Sequence, residues 1–477
     1  MTRTTRRGRR VLAASVVLVV AGGAGTAVVV TGREDMQPTP SATAPAPPGP
    51  PVRPALLPPL APTAAIPTMS GLDGLVAATL ADPAVAGRLA ISIVDVATGQ
   101  PVYERAATVP VLPASTVKIA TAVAVLTALP PDQRLSTTVV AGALPGEVVL
   151  VGGGDPTLTA MTPGTPPPLP VGPTGEADLQ PDHPLPASLP VLAAQVRQAL
   201  GSAVVTRVLV DESLFVGDRT APGWKPSYVA VDGAVAPVGA LMVDGGRVRA
   251  DRRPRHAEPG LAAGRQLAAL LAPGATVPVE AGRAAAGAAL LGQVRSAPVT
   301  DLVERMLTRS DNDLAEALAR HVAISQGQAA SFAGASAAMG QVLAGRGVEG
   351  VVLADGSGLS RLDRVTPAGL TRVLARAASG QEPRLAPLLT GLPIGGFVGT
   401  LSDRYRSAGT GTSGAGSVRA KTGTLNDVSA LAGLLRTTDG RLLAFDLTTD
   451  GVPLGANKRA EAALDTLATG LAACGCR

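Results

Sequence analysis

Ser115 and Lys118 lie three residues apart in the stretch VLPASTVKIA, residues 111–120. Residues at that spacing share a helix face, so the amine can sit against the hydroxyl. The chain has only four lysines, Lys118, Lys225, Lys421 and Lys458, and otherwise takes its positive charge from arginine. A buried lysine can lose its proton and act as a base, which an arginine cannot do. Ser-Lys pairs are an established alternative to Ser-His for activating a nucleophile. Read alone, the pair is equally a helix-capping serine followed by an unrelated lysine. Ser310, Asp311 and Asn312 form a second cluster, in a chain whose other asparagines are Asn426 and Asn457 alone. Helix capping is its plain alternative. A third cluster, Lys421-Thr422-Gly423-Thr424, follows the strand-like run SVRA. Gly423 lets a ligand approach the strand edge, and an ordinary strand end is the alternative.

These residues need elements to hold them. Pro113 suits a strand-to-helix transition, and residues 119–129 form an apolar run of helical length. Residues 299–307 and 314–322 read as two helices with 310–312 in the polar break. Residues 89–96 alternate as a strand, turn at 98–99 and return at 102–103. Residues 428–436 and 441–448 read as a hairpin around Asp439-Gly440. Further helices are expected at 189–200, 260–271 and 458–471. Strands at both ends with helices between predict one sheet built from distant parts of the chain. Residues 155–290 are then an insertion, with a Pro-rich surface run at 161–186.

Composition narrows the function classes. The net charge is +5, but Arg3, Arg6, Arg7, Arg9 and Arg10 supply five of the 41 basic residues, leaving 36 against 36 acidic ones. The body is neutral, so no nucleic-acid partner is expected. Those arginines precede an uncharged stretch from Val11 to Gly32, long enough to cross a bilayer. Residues 1–33 therefore read as a signal peptide or signal anchor that places the rest outside the cytoplasm. Residues 34–68, mostly Pro, Ala and Thr at the core of the run, read as a tether. The histidines, His183, His256 and His321, do not pair with each other or with cysteine at ligand spacing. They favour neither a zinc site nor a Ser-His-Asp triad, and no metal or cofactor is expected. Cys474 and Cys476 close the chain and read as structurally inert or locally bridged.

The ordered trio Ser-x-x-Lys, Ser-Asp-Asn and Lys-Thr-Gly is the set found in penicillin-binding proteins and class A β-lactamases. The chain resembles the low-molecular-mass class C penicillin-binding proteins, the D-alanyl-D-alanine carboxypeptidase/endopeptidase family. GGGDPTL (152–158), VDESLF (210–215), APGW (221–224), DGSGLSR (355–361), LPIGGFVGTL (392–401) and AKTGTLNDVSALAG (420–433) resemble family segments. Val398 stands where the family leads one to expect a polar residue. The resemblance runs from about residue 71 to the C-terminus. It implies an α+β penicillin-binding/serine β-lactamase-like transpeptidase fold, an antiparallel sheet flanked by helices with a large insert. The peptidase domain would comprise 69–154 and 291–477.

The resemblance also implies roles. Ser115 would attack the D-Ala-D-Ala bond of a peptidoglycan stem peptide, and Lys118 would take its proton. Ser310 and Lys421 would relay a proton to the leaving amine, and Asn312 would hold the substrate backbone. Lys421, Thr422, Gly423 and Thr424 would form the carboxylate-binding strand. The backbone N–H groups of Ser115 and Thr424 would form the oxyanion hole, and Asp211 would recognise a side-chain amine of the stem peptide. β-Lactams would be covalent inhibitors, and the N-terminal segment would meet a membrane. Ser357 is a rival nucleophile, but Asp355 stands where a nucleophile elbow needs glycine. Two other functions compete. A β-lactamase needs a deacylating base, and Glu349 and Glu382 lie between the second and third motifs, though neither sits in a recognised context. A non-catalytic wall-binding protein would be expected to lack Ser115 or Lys118.

Overall fold

The computed structural model describes residues 63–85, 89–163, 185–249, 253–406 and 414–474. The expected N-terminal export segment, most of the tether and of the Pro-rich run, and Cys476 lie outside the described residues. In chain order the elements are α1 (Met69–Leu80), β1 (Leu89–Asp95), β2 (Pro101–Arg105), α2 (Val117–Ala128), β3 (Arg134–Ala141), β4 (Glu147–Val151), α3 (Leu189–Leu200), β5 (Arg207–Asp211), α4 (Ser227–Ala230) and α5 (Pro259–Leu271). They continue with β6 (Val279–Ala281), β7 (Leu290–Pro298), α6 (Val299–Arg309), α7 (Asn312–Ser325), α8 (Phe332–Ala344), α9 (Pro367–Ala378), α10 (Ala386–Thr390), β8 (Val418–Leu425), β9 (Val428–Arg436), β10 (Leu442–Asp450) and α11 (Asn457–Ala472).

The first sheet has the order β2-β1-β10-β9-β8 and is antiparallel throughout. Its inner strands are covered on both faces, which explains why β9 and β10 read as nearly unbroken apolar runs rather than alternating ones. One face packs on α1 and α11 through Ile91, Ile93, Leu431, Phe445, Leu464 and Leu467. The other packs on the helical layer of α2, α6, α7, α8 and α9. Apart from Lys118 and two threonines helix α2 is apolar, because it is sunk in that layer, with Val117 to Leu126 all buried. This α+β arrangement is the fold class the sequence predicts.

The second sheet has the order β6-β5-β4-β3-β7. Its pairings are antiparallel at β3–β4 and β3–β7 and parallel at β4–β5 and β5–β6. Helices α3 and α5 cover it through Leu192, Val196, Ala263 and Leu267. It takes in β3 and β4 before the expected 155–290 insertion and β7 across its far end. We therefore propose residues 134–298 as the inserted unit. The reason is a pairing choice: Val139 of β3 lies opposite both Leu150 and Gly292, so these strands complete each other rather than the first sheet.

Candidate active site

The break between α6 and α7 is a designed stop. Ser310 caps α6 in the left-handed conformation at φ 54, and Asp311 caps α7 by accepting the Leu314 N–H at 3.0 Å. Such a cap is typically worth about 1 kcal/mol. Ala114, immediately before Ser115, is also left-handed, at φ 47. A left-handed conformation that costs about 1–3 kcal/mol is thus adopted by Ser310 itself and by the residue before Ser115. Both are over-determined by packing: Ala114 is fully buried, and Ser310 meets Lys421.

Lys118 is fully buried one turn along from Ser115. Its Nζ lies 3.1 Å from Ser115 Oγ, 2.6 Å from Asn312 Oδ1 and 2.6 Å from the Ser357 carbonyl oxygen. The carbonyl oxygens of Asn312 and Ser357 can only accept. They take two N–H bonds, and in the neutral amine the remaining lone pair faces the Ser115 hydroxyl. Burial lowers the lysine to about 8, against opposing pulls from Asp355, Glu316, Asp311 and Asp363. Asn312 is fixed in turn, because its Nδ2 donates to the Ala234 carbonyl at 2.9 Å.

Lys421 is likewise fully buried, and its Nζ donates to Ser310 Oγ at 2.8 Å and to the Thr422 carbonyl at 2.9 Å. Burial, then repulsion from Lys118 and Arg404, holds it well below the usual lysine range. A substrate carboxylate would supply the missing counter-charge. Strand β8 is the edge of its sheet. Its first half pairs with the 393–395 segment, where Gly395 N–H donates to Val418 and Ala420 N–H donates to Pro393. Residues 421–425 carry the motif beyond that pairing. They run close to the nucleophile turn: a Cβ at Gly423 would meet the Pro113 oxygen at 2.7 Å. Thr422 Oγ1 lies 2.8 Å from Thr400 Oγ1, and Thr424 Oγ1 donates to Glu461 at 3.2 Å.

The structure thus brings the motif residues together as two neighbouring hydrogen-bonded groups, Lys118 with Ser115 and Asn312, and Lys421 with Ser310, with Thr422, Gly423 and Thr424 continuing the strand of Lys421. It does not bring Asp211 there. That carboxylate is buried at the end of β5, where it accepts N–H bonds from Ser213 and Ala284, each at 2.9 Å. Those bonds hold it below the usual carboxylate range despite its burial. His321 is also structural. Its Nε2 meets the Gly153 carbonyl at 3.1 Å, and burial lowers it to about 4. Among the described residues no His, Cys, Asp and Glu side chains form a group able to hold a metal ion.

Sequence reasoning missed the support beneath Lys118. Ser357, weighed as a rival nucleophile, contributes its carbonyl instead, and its side chain is fully buried. The 355–358 turn presses against the nucleophile so closely that a Cβ at Gly358 would lie 2.0 Å from the Ala114 oxygen. Glu316 braces the turn by accepting N–H bonds from Gly356 and Ser357 at 3.1 and 2.9 Å. Burial and then Asp355 raise it to about 7, while Arg320 pulls the other way. Arg320 is buried over the Phe332 ring, 4.0 Å from its centroid. Asp363 is pushed up to about 10 by burial and by Asp355. The i, i+4 spacing of Asn312 and Glu316 on α7 was the available signal.

Comparison with known proteins gives one consistent result. The sequence profile described as the D-Ala-D-Ala carboxypeptidase 3 (S13) family matches residues 72–260 and 252–471. A carboxypeptidase from Mycobacterium tuberculosis is 40% identical over 441 residues, 90% of each chain. Carboxypeptidase DacB from Mycolicibacterium smegmatis is 38% identical over 482 residues, covering 100% of this chain and 99% of that one. Among solved structures, penicillin-binding protein 4 (dacB) from Haemophilus influenzae superposes with a TM-score of 0.66 at 22% identity. That match covers 83% of this chain and 98% of the other.

Proposed function

Because this chain belongs to the D-Ala-D-Ala carboxypeptidase 3 (S13) family, we propose how its residues perform that hydrolysis. The chain is a serine-type peptidase that acts on peptidoglycan peptides and binds β-lactams. Ser115 Oγ attacks the carbonyl of the penultimate D-alanine as its proton passes to neutral Lys118. The Ser115 and Thr424 N–H groups hold the oxyanion, a contribution typically worth about 2.7–4 kcal/mol per donor. The C–N bond breaks, and Ser310 and Lys421 deliver a proton to the departing D-alanine amine. Water then hydrolyses the Ser115 ester. Asn312 positions the substrate backbone, and Lys421, Thr422 and Thr424 receive the terminal carboxylate, with Gly423 keeping the strand close to Ser115. The N-terminal segment would export the body or tether it to the membrane; no helix among the described residues is long and apolar enough to cross one.

One observation carries this reading: Lys118 Nζ meets two carbonyl acceptors and Ser115 Oγ, so a neutral amine directs its lone pair at the hydroxyl. A β-lactamase reading lacks comparable support, because Glu382 is tied up with Arg346 and Arg376. The test is release of free D-alanine from an acetylated peptide ending in D-Ala-D-Ala, followed across pH. The protonated base is inactive, so kcat/KM should rise with pH through about 8 and level above it. No release, or a profile flat from pH 6 to 9, contradicts the assignment.

A further inference from the structure

The peptide linking Ser357 and Gly358 joins Lys118 to a carboxylate. Its carbonyl accepts from Lys118 Nζ at 2.6 Å, and its N–H donates to Asp355 Oδ1 at 2.6 Å. Asp355 is itself fully enclosed. Oδ1 also accepts from Ser357 N at 3.0 Å, and Oδ2 accepts from Ser360 N at 2.7 Å and from Trp224 Nε1 at 2.6 Å. These four partners are N–H donors, the pattern a carboxylate accepts, and the carboxyl of Asp363 also bonds to it. A carboxylate on the N–H side of a peptide polarises its carbonyl and strengthens the bond on the other side. Trp224, the chain's single tryptophan, comes from the inserted unit.

We propose that Asp355 is a positioning residue for Lys118, acting through the 357–358 peptide and through its charge, and that Trp224 limits how strongly it acts. This rests on Ser115 being the acylated nucleophile. Other groups also face Lys118: Asn312 and Glu316 from α7, Asp311 from the helix break, Asp363 from the turn, and Lys421 from β8. Arg320 neutralises part of Glu316. Asp355 exerts the largest pull favouring the charged lysine, which offsets part of the burial effect. Asp355 therefore keeps Lys118 from becoming too weak a base while aiming its N–H at Ser357 and its lone pair at Ser115.

The variants Asp355→Asn and Trp224→Phe should have opposite effects. Without the charge the lysine binds its proton less tightly. The acid limb of acylation should move to lower pH by about one unit, the low end of what a nearby charge does. Without the indole donor the carboxylate's charge is less shared, so the limb should move upward by a smaller amount. The measurement is the second-order rate constant for acylation by benzylpenicillin from pH 6 to 10, on the full-length chain in detergent. Opposite shifts support the inference. Lower rates with unmoved limbs would mean Asp355 only holds the turn, and would overturn it. If Asp355→Asn does not fold, Trp224→Phe decides: an upward shift supports the inference and an unmoved limb overturns it. A wild-type chain that forms no adduct at Ser115 would overturn both the inference and the reading beneath it. An adduct with unmoved limbs overturns the inference alone.

Discussion

Lys118→Met lowers acylation by benzylpenicillin by about 10^2- to 10^4-fold, the usual contribution of a positioned general base. Lys118→Arg, which can still donate to Asn312 and Ser357, loses a similar factor because guanidinium does not deprotonate. The contrast separates base from donor. If Lys118 only tethered Asn312 Oδ1 and the Ser357 carbonyl, arginine would rescue much of the rate. Circular dichroism on both variants checks that the fold persists. Stopped-flow or gel-based acylation rates above pH 8, where the wild-type amine is mostly neutral, give the cleanest comparison. Either variant acylating within tenfold of wild type sinks the assignment of Lys118 as the base.

Asp446→Asn has the largest expected effect on stability. Asp446 lies in the middle of β10, opposite Ser92 and Ala432, buried between the first sheet and the helical layer. Its hydrogen-bond partner is the Thr448 hydroxyl at 2.6 Å. Burial raises it to about 7 from the ordinary 3.8. Below about pH 4 the carboxyl is protonated in both folded and unfolded chains and has no effect on the balance. Between about 4 and 7 the unfolded chain ionises while the folded chain does not, so stability falls as pH rises. The loss is complete above about 7, and the shift corresponds to at most about 4 kcal/mol. Asparagine keeps an acceptor for Thr448 and does not ionise. Urea melts at pH 4.5 and 8 should show the variant gaining on wild type by roughly 2–4 kcal/mol at the higher pH. An equal difference at the two pH values would show that Asp446 does not titrate as described.

The reach of the sequence differs sharply between side chains and backbone. Ser115, Lys118, Ser310, Asn312 and Lys421 were legible because the chemistry selects their residue types, and because lysine and asparagine are rare here. The helical layer and the β9–β10 hairpin were legible because continuous apolar runs bounded by turns identify buried elements. The Ser357 and Ala234 carbonyls that orient Lys118 and Asn312 were not, since a backbone oxygen leaves no trace in residue type. The left-handed φ of Ala114 and Ser310 was hidden for the same reason: neither is the glycine that would advertise it. The limits of the second sheet were obscured because β3 and β4 look like strands of either sheet, and only their mutual register decides. Residue type alone does not separate the two uses of an acidic residue at a strand end such as Asp211, a ligand or a turn, whereas the amide bonds it accepts from Ser213 and Ala284 are visible only in the fold. Asp355 and Trp224 lay in recognised segments, yet their meeting across 131 residues depends on the fold.

The most direct test is the intact mass of the full-length chain after exposure to benzylpenicillin, with Ser115→Ala beside it. A lasting adduct of one penicillin on the wild type, located to Ser115 and absent from the variant, is the predicted result. An adduct that persists in Ser115→Ala, or a wild-type chain that stays unmodified while the drug remains intact, would contradict the account. Rapid hydrolysis of the drug without a lasting adduct would contradict it as well, by showing a β-lactamase.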